Sequence, residues 1–419
     1  MMRERLTRLR EGVRDAWRLI RPGIAVDGDR PERGVALLMV LVTVAVMAAF
    51  STEFSYNARV NLRMASNLER EVQAYYHARS SIEVARMVIR GQKLADDMLS
   101  LAAQFMPSVK NQNVEMWSFA CKFVEIYNTG KVNLLGFDLF DLSGREGIGV
   151  KHGSFECVAD AEDGRVNVNF VETIAAKRTL FKHLFGYLQG PRPEGTGWSK
   201  DDRDRADLLL NIIDWVDPDQ RRTDLDPNGN FTEGSGSEDF AYSRYDHEAK
   251  NAKFDTVEEL RLVDGMDDET FCDIRDKVTV YSTERLNVNT ADLGLLKAVV
   301  CEAMTPENQA VACGSPFGGQ LALTPMDIVG EYLELCRGIK KMLFTAPFAN
   351  ANAFVNFFKK LPPELAPLVQ VNGAALKPVV GVKSRVIRVQ STGKVGRTEK
   401  RITAIIDTST GKYVYWREE

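Results

Sequence analysis

Histidine is scarce in this chain, with four residues in 419, scattered at His77, His152, His183 and His247. With no Gly-x-Ser-x-Gly and no His-Glu-x-x-His, nucleophilic and zinc-hydrolase chemistry lack their usual residues. Six cysteines occur without a single Cys-x-x-Cys, which argues against a zinc or dithiol redox site. A net charge of −4 offers no general attraction for nucleic acid or anionic lipid. The absence that matters most is local. Neither proline nor glycine occurs from Val35 to Arg90, so nothing in that stretch punctuates a helix.

Val35 to Phe50 is apolar except for Thr43, and as a helix it spans roughly 24 Å, close to the length that crosses a bilayer. No small-x-small cleavage site follows it, as a secretory signal would require. Beyond Phe54, apolar residues recur at Ala58, Leu62, Ala65, Leu68, Val72, Tyr75, Ile82, Ala85 and Ile89. Those gaps of three, four or seven trace one stripe on a helix. The spacing predicts a single helix of about 56 residues, roughly 84 Å long, stopped by Gly91. Residues 1–34 hold nine Arg against six acids, a flank that favours the cytoplasmic side and puts the following head outside.

These residues carry a family resemblance. A basic leader, Gly34 directly before an apolar run, and the continuation Asn67-Leu-x-x-x-x-Gln73-Ala-x-x-x-Ala78 resemble type IV pilins and type II secretion pseudopilins. The resemblance implies that a prepilin peptidase cuts between Gly34 and Val35 and methylates the new amine. Most members carry Glu at the fifth mature position, where this chain has Met39. That departure resembles the large minor pseudopilin family of general secretion pathway protein K. It implies a single-pass protein of the bacterial inner membrane with a periplasmic head. Its place would be the tip of the pseudopilus, with the I- and J-type minor pseudopilins as partners, and its role would be structural, with no enzymatic activity and no nucleic acid.

In chain order, Lys93 to Met106 reads as a further short helix, Glu115 to Tyr127 as a strand rich in aromatic and β-branched residues, and Ser154 to Ala159 as a second strand. Glycine-rich Gly130 to Gly153 reads as a hairpin loop. From Val171 the pattern turns helical: Ile174–Tyr187, Asp204–Trp215, Thr256–Leu262, Asp268–Val278, Ala291–Ala303 and Pro325–Arg337. Ser384 to Gln390 and Glu399 to Asp407 then read as strands joined by a loop, with Tyr413 to Trp416 closing the sheet. The expected fold is α+β: a pilin-like long N-terminal helix plus an antiparallel sheet, with a large inserted helical domain. The expected boundaries are leader 1–34, spine 35–92, first part of the sheet 93–170, helical insert 171–380 and C-terminal strands 381–419. Arg-x-Asn-Val-Asn occurs at Arg165–Asn169 and again at Arg285–Asn289, a pair best read as turn anchors. Among the cysteines, a loop-closing bridge from Cys301 to Cys313 and free buried thiols both fit.

Asp201 to Asp246 holds thirteen acids against five Arg. Carboxylates this dense repel one another unless a cation intervenes, and the i, i+2 spacing in Asp214–Asp219 and Asp224–Asn230 is how calcium loops present hard oxygen ligands. A true EF-hand is excluded, because its twelfth position is Ser235. The pattern Asp-Trp-x-Asp-x-Asp followed by Gly236, Glu238, Asp239 and Tyr242 resembles the calcium loop of the protein K family. The expected ligands are Asp217, Asp219, Asp224, Asp226, Asn228, Glu238 and Asp239. Two other readings compete with this one. Phe254–Gly265 with Asn287–Ala291 resembles a helix-hairpin-helix DNA-binding module of an uptake apparatus, but its hairpin carries Asp264, Asp267 and Asp268, which repel phosphate. A tethered calcium-dependent hydrolase would use carboxylates such as Asp214 and Asp217 as acid and base, without a nucleophile beside them.

Overall fold

The computed structural model describes residues 32–105, 115–134, 137–141, 153–188, 202–226, 230–314, 324–342 and 346–419. Residues 1–31, His152 and Asn228 lie outside them. The chain divides into two compact units, one ending at Leu68 and one running from Glu69 to Glu419.

Helix α1 is Glu32–Phe105. It runs through Gly91 and absorbs the short helix expected over Lys93–Met106. One glycine costs only about 1 kcal/mol against alanine, too little to stop a helix with good formers on both sides. In the first unit, Leu37, Met39, Val42, Met47 and Phe50 are exposed, and the segment is long and apolar enough to cross a membrane. In the second unit, α1 buries Ala74, Ala78, Ile82, Ala85 and Ile89.

Helix α2, Trp117–Thr129, occupies the stretch expected as a strand. Its aromatic and β-branched content suggested β structure, yet Trp117, Ala120 and Val124 are the buried positions, at helical spacing. The glycine-rich stretch after it is more than a loop, because β1 (Lys131–Leu134) and β2 (Phe137–Asp141) pair antiparallel within it. Strand β3 follows at Ser154–Ala161.

The helical part begins with β4 (Val166–Asn167), α3 (Ile174–Leu188) and α4 (Asp202–Val216). A hairpin the sequence reading missed, β5 (Arg221–Leu225) with β6 (Phe231–Ser237), leads into α5 (Asp239–Tyr242). A 3₁₀ turn at Val257–Leu262, α6 (Asp268–Ile274) and β7 (Val278–Thr279) come next. Then follow β8 (Leu286–Asn287), α7 (Leu293–Glu302), α8 (Pro306–Cys313), α9 (Pro325–Met342), α10 (Ala351–Lys359), α11 (Gly373–Val379) and β9 (Val380–Gly381). Of these, α8, α10 and α11 went unpredicted, being short and, in α11, carrying Pro378.

Strands β10 (Val386–Val395), β11 (Thr398–Asp407) and β12 (Tyr413–Glu418) complete the chain. The expected loop at Ser391–Arg397 shrinks to a tight turn, in which Gly396 holds φ +63°, a conformation that suits a residue without a Cβ. The four-stranded sheet has the order β12-β11-β10-β3, all antiparallel. Its inner face sets Ile387, Val389, Ile402, Ala404 and Ile406 against α1 and α2. A disulfide, Cys121–Cys157, joins α2 to β3, and Cys301–Cys313 joins α7 to α8, while Cys272 and Cys336 are free.

The repeated Arg-x-Asn-Val-Asn is structural, and it repeats in three dimensions. Asn167 Oδ1 accepts the Asn169 N–H, and Asn287 Oδ1 accepts the Asn289 N–H, both at 2.9 Å. Asn169 receives the Phe254 N–H and donates to the Phe254 and Val280 carbonyls. Asn289 does the same with Phe348 and Val382. Each block opens a two-residue parallel pairing, β4 with β7 and β8 with β9. The helical region is therefore built as two successive copies of one plan.

Candidate metal centre

Helix α4 buries Leu208, Leu209, Ile212, Ile213 and Val216, which fixes its rotation. Asp214 lies on its last turn and Asp217 one turn further on, so both point to the same side. The β5–β6 hairpin then brings Glu238 back to them. Among the described residues, Asp214, Asp217 and Glu238 form one group, with ligand oxygens within 4.8 Å of one another. They are 2%, 2% and 3% exposed.

Their hydrogen bonding is incomplete. Asp214 Oδ1 accepts the Thr223 N–H at 3.0 Å, and the Lys177 ammonium meets Asp217 Oδ2. Asp217 Oδ1 and both carboxylate oxygens of Glu238 have no partner. Burial, with the charges of Asp214 and Asp217 behind it, pushes the Glu238 carboxyl up to about 9. Burial likewise raises Asp214 to about 7. Asp217 is raised too, burial outweighing the opposing pull of Lys177. Three buried carboxylates against one ammonium form a site short of positive charge. Its donors are all hard oxygens, which suits calcium or magnesium rather than a softer metal.

Of the expected ligands, the structure joins Asp217 and Glu238, and adds Asp214. Asp219 accepts the Arg221 N–H at 2.8 Å, and its charge is felt by Asp217 and Glu238. The rest serve local turns. Asp224 accepts the Leu225 N–H, Asp226 accepts the Asn230 N–H and side-chain amide, and Asp239 meets the Ser237 hydroxyl. Asp214 was the residue missed, although its position three residues before Asp217 was the available signal. Behind the group, Trp215 stacks on Phe254 and meets Tyr242 and His247.

The helix-hairpin-helix stretch turns at Gly265, with φ +85°. Asp264 pairs with Arg244 and accepts the Tyr245 hydroxyl, Asp267 caps α6 by accepting the Thr270 N–H, and Asp268 pairs with Arg261. The turn presents carboxylates where a phosphate-binding hairpin presents free N–H groups.

No curated protein is similar to the chain in sequence. Among solved structures, one chain of "The Crystal Structure of the GspK-GspI-GspJ complex from enterotoxigenic Escherichia coli Type 2 Secretion System" is similar at 14% identity and a TM-score of 0.49, over 85% of this chain and 99% of that one. Residues 164–283, which contain the carboxylate group and the first of the two repeated blocks, match the family described as type II secretion system protein K.

Proposed function

We propose that the protein acts as a minor pseudopilin of a type II secretion system, seated at the tip of the pseudopilus and bound laterally to the I- and J-type minor pseudopilins. The observation that carries this reading is the protein K match over residues 164–283. The apolar start of α1 supports it, since a membrane helix with a head on one side is what a filament subunit needs. Met39 supports the tip position. A carboxylate buried among apolar spines needs a neighbour's amine, whereas a methionine incurs no cost when no subunit sits above it. In this reading the prepilin peptidase releases Val35 as the mature N-terminus, and the head lies in the periplasm.

The role proposed for the carboxylate group is to hold one calcium ion through Asp214, Asp217 and Glu238, with Asp219 alongside. Bound there, the ion would neutralise the buried charge and clamp the end of α4 to the β5–β6 hairpin. Lys177 holds the other Asp217 oxygen, Oδ2, in place.

The test of the filament role is co-purification of the tagged full-length protein from membranes with mass spectrometry of its partners, and immunogold labelling of filaments. Recovery of the other minor pseudopilins and label at one end support it. Label along the filament length overturns the tip position.

A further inference from the structure

Lys177 lies in the first turn of α3, where its N–H donates to the Thr173 carbonyl at 2.9 Å. The first turn is the end of a helix at which the macrodipole disfavours a cation. The side chain is also largely covered, at 17% exposed, so its ammonium has given up most of its water. Both costs need an offsetting partner, and the partner is the carboxylate group. The ammonium meets Asp217 Oδ2 and lies 3.5 Å from the Thr223 hydroxyl. Thr223 in turn gives its N–H to Asp214 Oδ1. One lysine thus joins α3 to the end of α4 and to β5 at the edge of the group.

Among the described residues, Lys177 is the one cation that meets Asp214, Asp217 or Glu238. Arg221 and Arg222 follow closely in the chain, but they pair with Glu233 and Asp207. Carboxylates that hold a hard cation must be ionised. Three buried carboxylates and one ammonium then leave a charge of −2. Asp219 is exposed, so water screens its contribution. Lys177 also decides how many oxygens remain. It occupies Asp217 Oδ2 and leaves Oδ1, which has no partner, beside the two unpartnered oxygens of Glu238.

We propose that Lys177 sets the charge selectivity of this site: it holds the group at −2 and restricts Asp217 to one free oxygen, so that a divalent cation is taken in preference to a trivalent one. A divalent ion cancels the buried charge. A trivalent ion leaves one positive charge uncompensated beside the lysine, and a monovalent ion leaves one negative charge, both costly in a buried site. The proposal rests on the cation-binding reading of the carboxylate group given above and adds to it the residue that chooses the ion's charge.

The test uses the full-length protein in detergent, titrated with terbium(III), a hard trivalent ion. Binding is read from terbium emission excited through Trp215, the buried neighbour of Asp214 in the chain, and calcium is added as competitor. Lys177→Met should raise the ratio of terbium to calcium affinity tenfold or more, because the trivalent ion is repelled by one more unit of charge than the divalent one when the lysine is present. Lys177→Arg keeps the charge and should keep the ratio of the unaltered protein. An unchanged ratio in Lys177→Met, or an equal shift in Lys177→Arg, overturns the proposal and leaves the cation-binding reading standing. If Lys177→Met does not fold, the Lys177→Met, Asp217→Asn double variant decides, since it restores −2 without the lysine. It should bind both ions more weakly at the original ratio, and a roughly tenfold change in that ratio overturns the proposal. Failure of the unaltered protein to bind either ion removes the cation-binding reading and the proposal with it.

Discussion

Gly393 of β10 lies against Ala74 of α1 so closely that a Cβ on the glycine would stand 1.9 Å from the Ala74 carbonyl oxygen and 2.7 Å from the Ala78 nitrogen. The helix backbone thus rests directly on the strand. Both contact points on α1 are alanines, the residues that let a helix come this near. Gly393→Ala should therefore push α1 off the sheet. A loss on the order of 3 kcal/mol is expected, at the upper end of overpacking costs because backbone cannot rotate away. Chemical denaturation of the head measures it, and an unchanged midpoint would contradict the packing.

Asp163 should be the most sensitive carboxylate outside the group of Asp214, Asp217 and Glu238. It is fully buried, and one oxygen accepts the N–H groups of Arg385 and Val386, at 2.6 and 2.9 Å. The other accepts the Thr283 N–H and hydroxyl. Asp163→Ala strands those donors at the start of β10, for a loss of about 2–3 kcal/mol. Hydrogen exchange should show the protection of Arg385 and Val386 falling before that of Ile405.

If the proposed calcium site is real, the head should melt at a higher temperature with millimolar calcium than with chelator, by mass action on the folded state. Asp214→Ala, Asp217→Ala and Glu238→Ala should each remove most of that increment, and Asp246→Ala should leave it intact. Equal melting temperatures with calcium and chelator in the unaltered protein would refute the assignment.

His183 sets a pH dependence of definite sign. Burial, helped by the neighbouring charge of Lys182, lowers its imidazole to about 4, against about 6.5 when the chain is unfolded. The unfolded state then binds the extra proton between those values, so this contribution is fully present above pH 6.5 and is lost as pH falls toward 4. The loss amounts to about 3 kcal/mol. Asp214 and Glu238 act in the opposite direction, so the measurement is the difference between His183→Gln and the unaltered protein. That difference should shift in favour of the variant as pH drops from 7 to 4.5.

Processing provides a prediction about α1. Mass spectrometry of the membrane form should find Val35 as the first residue, and replacing Gly34 with a bulky residue should leave the leader attached. An intact Met1 in the unaltered protein, or a cut beyond Phe50, would rule out the pilin-type start.

What the sequence disclosed depended on whether a pattern was local. Ile82, Ala85 and Ile89 were legible as a buried stripe because the helix repeats every 3.6 residues. Trp117 to Tyr127 misled because its residue types favour strands, while its burial follows Trp117, Ala120 and Val124. Asp217 and Glu238 were legible through their motif as candidates for one carboxylate group. Asp214 stood in the same run but outside the expected ligands, because it joins them from the end of a helix that a hairpin must first fold over. The run Asp224 to Asn230 looked like a ligand loop, yet the Asp226 carboxylate holds the turn of β5 and β6 by accepting the Asn230 N–H. Arg165–Asn169 and Arg285–Asn289 showed their likeness in five residues. That each anchors a whole block required the partners Phe254 and Phe348, which lie 85 and 59 residues away.

The pairing of β3 with β10 joins Ser154–Ala161 to Ile387–Lys394. During synthesis, β3 emerges long before its partner and waits as an open edge while both helical blocks are made. The sheet, and with it the seat of α1, forms only once nearly the whole chain has been delivered. A polypeptide cut short anywhere before Val395 keeps an apolar spine but cannot complete the surface that buries Ile82 and Ile89. Folded heads are thereby restricted to chains that extend past β10, and shorter ones are left with an unpaired strand open to proteolysis.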